Sequence, residues 1–117
     1  MKSLLFLLLT SAATVSAAQA QTTTTTAAPD PKKDVRVVQA SCGQCQLGLP
    51  GKSCDLAVRF DGKAYFVDGT TIDSHGDAHA KDGFCQAVRR AEVQGEVVDN
   101  RFKATYFKLL PEPTKSK

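Results

Sequence analysis

Four cysteines, Cys42, Cys45, Cys54 and Cys85, constrain this chain more than any other feature. They all fall in the segment 34–111, which carries nearly all of the patterned apolar residues outside the first twenty positions. A domain of that size buries little apolar surface, and cross-links or a bound metal would help to hold it. The order and chemistry of the rest of the chain decide which of these the cysteines provide.

The opening MKSLLFLLLTSAATVSAAQA has a basic residue at Lys2, an apolar run Leu4–Leu9, and Ala18 and Ala20 around Gln19. It reads as a Sec signal peptide at residues 1–20, cleaved after Ala20. The run is shorter than the roughly 20 apolar residues that a membrane-spanning helix needs. No other segment is apolar for as long, and no cysteine follows the cleavage point to carry a lipid. The expectation is a periplasmic or secreted protein with no membrane span, in a compartment where disulfides persist. The whole chain has 15 basic and 12 acidic residues; losing Lys2 leaves a net charge of +2. That is too small and too scattered for a nucleic-acid footprint.

Residues 21–33, QTTTTTAAPDPKK, form a Thr/Ala/Pro stretch with no large apolar side chain, and are expected to be a disordered linker. Residues 112–117 read as a disordered polar tail. Between them the apolar period is mostly two. DVRVVQA is a valine-rich first strand. CDLAVRF alternates, with Leu56, Val58 and Phe60 on one face. Asp61–Gly62 is a two-residue hairpin signal, after which KAYFVDG returns as a third strand. EVQGEVV and RFKATYFKLL are two more strands joined at Asp99–Asn100, and a change of face between Tyr106 and Phe107 points to a bulge. In DGFCQAVRRA the period changes: Phe84, Ala87, Val88 and Ala91 recur at helical spacing behind Asp82, a candidate N-cap. The predicted class is mainly β with one helix, in the order β-β-β-α-β-β. That is the pattern of an OB-like five-stranded β-barrel, with an open antiparallel sheet carrying one packed helix as the alternative.

Across residues 42–111 the chain resembles a family of small exported bacterial domains of unknown function. CGQC, HGDAHAKDGFC and AEVQGEVVDNRFKATYFKLLP are the most specific pieces of that likeness. The resemblance implies one domain and brings no activity with it.

Cys42-Gly43-Gln44-Cys45 is a C-x-x-C, a spacing that serves a tetrahedral metal or a redox disulfide. QLGLPGK is a poor helix, which weighs against thioredoxin-like chemistry. Both histidines stand in SHGDAHAKDGFC, where His75 and His79 fall on one side of either an extended or a helical segment. Cys85 is placed in the first turn of the expected helix, whose dipole favours thiolate. Three readings follow. The cysteines form two disulfides, with three possible pairings, in a stapled domain that binds a peptide or sugar at the barrel mouth. Alternatively, Cys42, Cys45 and Cys85 join His79 around zinc or copper, with Cys54 and His75 as alternates. Or Cys85, or the Cys42/Cys45 pair, is a catalytic or redox thiol with a histidine base. The expectation is a binding or structural module rather than an enzyme, its partner a metal ion or another exported protein.

Overall fold

The computed structural model describes residues 24–112. The expected signal peptide at 1–20, the first residues of the stretch that follows it, and all of the expected tail but Glu112 lie outside the described residues. Five strands make the fold: β1 (Arg36–Cys42), β2 (Leu56–Phe60), β3 (Lys63–Asp68), β4 (Arg89–Val98) and β5 (Arg101–Leu109). They close into a barrel in the order β1-β2-β3-β5-β4, with β4 returning to β1. All neighbours are antiparallel except β3 and β5, which run parallel where Val67 faces Phe102 and Asp68 faces Lys103. This is the expected OB-like barrel, and the open-sheet alternative does not apply. No helix among the described residues is long and apolar enough to cross a membrane.

Both hairpins follow from their turn residues. Asp61 and Gly62 have φ of 51° and 78°, and Asp99 and Asn100 have 52° and 62°. Two successive left-handed residues give a turn whose twist matches that of the strands it joins. Inside the barrel, Val38, Ala40, Leu56, Val58, Val93 and Phe102 form the centre of the core. The change of face in the last strand is real, and its cause is a bulge at Thr105. Gln94 pairs with Tyr106 while Gly95 pairs with Ala104, so Thr105 is the extra residue. Before it, Phe102 and Ala104 face the core; after it, Phe107 does. Gly95 makes this possible, because a Cβ there would collide with the Lys103 carbonyl, and its φ is 152°.

One sequence expectation is corrected. The helix over 82–91 does not form. Residues 82–86 are turns, and β4 starts at Arg89. Ala91 and Val93 are buried in the barrel interior, and Val88, part of the expected helical stripe, is exposed. Phe84 is pulled into the core instead, and its carbonyl accepts hydrogen bonds from the Cys42 amide and the buried Ser41 hydroxyl. The helical pieces lie elsewhere: α1, a single turn at Gly43–Gln46, and a 3-10 turn at Ile72–His75 between β3 and β4.

The described part of the stretch before β1 touches the barrel. Thr26 bridges to Tyr106 in parallel, and its amide donates to the Thr105 carbonyl at the bulge. Gln94 is buried and off the core cluster. Its amide group accepts from the Asp30 N–H and donates to the Asp30 and Lys33 carbonyls. A buried amide without these partners would carry a desolvation cost of about 1–3 kcal/mol. Arg89 is buried. It donates to the Asp82 and Leu110 carbonyls and pairs with Glu112 at 3.2 Å.

Candidate metal centre

One end of the barrel gathers three pieces of chain. β1 ends at Cys42, and the chain turns at once into α1, whose N-cap is Cys42 itself. The turn docks tightly on the outside of β2 and β3. At Gly43 a Cβ would stand 2.7 Å from Phe66 Cε1 and 3.0 Å from Ala57 Cβ, so only glycine lets α1 come this close. The loop then returns through Gly48 and Gly51, at φ of 72° and 125°, to deliver Cys54 just before β2. Cys85 comes from the turn after the 3-10 element, anchored by its amide to the Ala78 carbonyl.

The four Sγ atoms lie within 4.8 Å of one another. Cys54 is at the centre, with its sulfur 2.8 Å from Cys42 Sγ and 2.8 Å from Cys85 Sγ. The Cys45 amide points at Cys42 Sγ at 3.4 Å. Side-chain amides brace the surroundings. Gln44 exchanges hydrogen bonds with Asp55, and Gln46 Nε2 donates to the Cys85 carbonyl. Cys42 is buried, Cys54 and Cys85 are partly so, and Cys45 is exposed.

The electrostatics follow from crowding. Burial pushes the Cys42 thiol up, but hydrogen bonds from Cys54, Cys45 and the Gln44 backbone outweigh it, so its pKa falls below the ordinary value. Burial and the neighbouring Cys42 and Cys85 thiols push Cys54 far up. Cys45 is raised, first by its hydrogen bond with Cys42. Without a cation among them, these sulfurs cannot all be anions, and negative charge is favoured most at Cys42. A divalent ion in the middle reverses that balance.

Of the six sequence candidates, the fold brings together Cys42, Cys45, Cys54 and Cys85, and it holds His75 and His79 apart. His75 sits in the 3-10 turn with Nε2 2.8 Å from Thr70 Oγ1, and its ring is 4.5 Å from that of Phe107. Burial lowers its pKa. It lines a cavity of about 190 Å³ with Asp77, Arg89 and Leu109, a space separate from the sulfur atoms. His79 is exposed, 3.9 Å from an Asp77 oxygen. The Cys85 environment is also not the expected one, since no helix dipole acts on it. The residue at a helix start is Cys42. Cys54, only an alternate on spacing grounds, is central.

Residues 36–110 match the model of a family of unknown function, DUF6370. The chain belongs to this family. The match runs from the first residue of β1 to just past β5, and so spans the barrel strands and all four cysteines of this chain. No curated protein and no solved structure matches the chain.

Proposed function

We propose that this protein is a metal-binding β-barrel module that holds one transition-metal ion through the thiolates of Cys42, Cys45, Cys54 and Cys85. The observation that carries the reading is the convergence of all four sulfurs within 4.8 Å. A tetrahedral ion with metal–sulfur bonds of about 2.3 Å separates its ligands by about 3.8 Å, so modest side-chain rotations suffice to reach that geometry. Four sulfur donors in a tetrahedron suit zinc best, with copper(I) as the soft competitor. The amide aimed at Cys42 Sγ supports thiolate charge in the way that outer hydrogen bonds tune metal ligands.

The geometry favours this over two disulfides. A pair of disulfides separates four sulfurs into two partnerships, whereas Cys54 here makes equally short contacts with two different cysteines. A thiol enzyme would need a base beside its nucleophile, and among the described residues both histidines stand outside the sulfur cluster. With the signal-like opening, we place the module in the periplasm or outside the cell, where a bound ion would protect the thiols from oxidation.

Native mass spectrometry of the protein purified without added metal, beside a denatured and alkylated sample, tests the reading. One metal ion per chain, lost on denaturation to leave four alkylatable thiols, is the expected result. A metal-free mass lighter by about four hydrogens, the mark of two disulfides, overturns it.

A further inference from the structure

We infer that the ion in this site is exchangeable, and that it enters and leaves through Cys45 by ligand exchange with the thiolate of an acceptor; the inference rests on the metal-binding reading above. The four ligands are not equivalent in the fold. Cys42 is the last residue of β1, fully buried, with its amide bonded to the Phe84 carbonyl. Cys54 and Cys85 are half-buried against the core cluster, and Cys85 is fixed by its amide and its carbonyl. Cys45 is the exposed member, carried by a helical turn of four residues. The turn itself stays docked, with the Leu47 and Leu49 amides bonded to the Gly43 carbonyl, but the Cys45 side chain faces solvent. Rotation of that side chain alone takes its sulfur off the ion while α1, the barrel and the other three sulfurs stay in place.

Four protein sulfurs fill every position of a tetrahedral ion, so the ion leaves only by shedding one of them, and the one an incoming donor can reach is the exposed Cys45. That ligand is a sulfur, so the fitting partner is another soft sulfur donor. In the exchange the incoming thiolate forms one metal–sulfur bond and the bond to Cys45 breaks. No electron moves, and the released Cys45 thiolate takes a proton from water. Repetition at the remaining sulfurs hands the ion on. The acceptor is a thiol, either a small molecule or the side chain of a partner protein.

The test uses the protein loaded with one zinc per chain. Limited iodoacetamide labelling, mapped by peptide mass spectrometry, should modify Cys45 about tenfold faster than Cys42, Cys54 or Cys85, because reactivity follows access to thiolate. Zinc transfer to a chromogenic chelator should accelerate in proportion to added glutathione, or to an added reduced C-x-x-C protein. The arm that accelerates identifies the acceptor as a small thiol or a protein thiol. Cys45→Ser should still bind one zinc and lose it faster, whereas Cys42→Ser should bind poorly. Labelling of all four cysteines at one rate, or transfer indifferent to both thiols, overturns the inference and leaves the metal reading intact. A chain that takes up no zinc overturns both.

Discussion

At His75 and Gly95 single side chains carry consequences that can be measured. His75 is pressed between Phe84 and Phe107, and burial lowers its pKa. The unfolded chain then takes up the proton first as pH falls below about 6.5, so stability is complete above that value and declines towards the folded pKa. In the metal-free, reduced protein, the urea midpoint should fall between pH 7.5 and 5.5, and His75→Gln should flatten that fall. An equal fall in the variant would mean that other groups set it. Gly95→Ala meets both a disallowed φ and the Lys103 carbonyl, and should cost about 2 kcal/mol or more in urea unfolding. A midpoint unchanged from the parent would show that the bulge relaxes around it. Gly95 was visible in the sequence only as a glycine inside a strand; the carbonyl it avoids belongs to β5, which no local pattern reports.

Among the elements, the parallel contact of β3 with β5 is the shortest seam of the barrel, two residue pairs long. Asp68 clamps it from β3. Arg101 forks onto its carboxylate at 2.9–3.0 Å and Lys103 reaches it at 2.6 Å, both from β5. Arg101 first, and Lys103 with it, hold the Asp68 carboxyl below the usual range. The clamp therefore stabilises the fold above about pH 4 and is lost as pH falls further. Asp68→Asn should lower the urea midpoint at pH 7 by an amount worth about 1 kcal/mol, since Arg101 is partly in solvent. The variant should lose less stability than the parent on acidification to pH 3, and a steeper acid loss would contradict the clamp. The strands and hairpins could be read from the chain because alternation and turn chemistry are local. The false helix could not be avoided by the same means. Phe84, Ala87, Val88 and Ala91 do fit a helical stripe, but Ala91 is claimed by β4 and Phe84 by the core. Tertiary burial overrides a weak local preference in such a segment.

For the molecule as a whole, the barrel closes through its own ladders, and the sulfur cluster is attached at one end of it. Removing an ion from the proposed site should therefore differ from removing it from small zinc fingers, which unfold without their ion. Under reducing conditions a chelator should leave the far-ultraviolet circular dichroism nearly unchanged and lower the melting temperature. Faster amide exchange should be confined to residues 43–55 and 76–87. Loss of the whole spectrum on chelation would show that the ion holds the barrel shut. The chain told of four cysteines and of an ion or cross-link among them, but not which residues meet. Spacing speaks for neighbours such as Cys42 and Cys45. Cys54 and Cys85 touch across 31 positions only after β2, β3 and the turns beyond them are in place. The histidines misled because they share a local stretch with Cys85, while the fold turns them away from it.

That long reach gives the sulfur cluster a use at the bench. A chain stopped before residue 85 lacks the fourth donor, and a misregistered barrel cannot bring Cys85 to Cys54. With cobalt in the proposed site, the thiolate charge-transfer band per bound ion would grow with the number of cobalt–sulfur bonds. A weaker band per ion would then mark molecules that Cys85 has not yet reached, in a mixture of finished and unfinished ones.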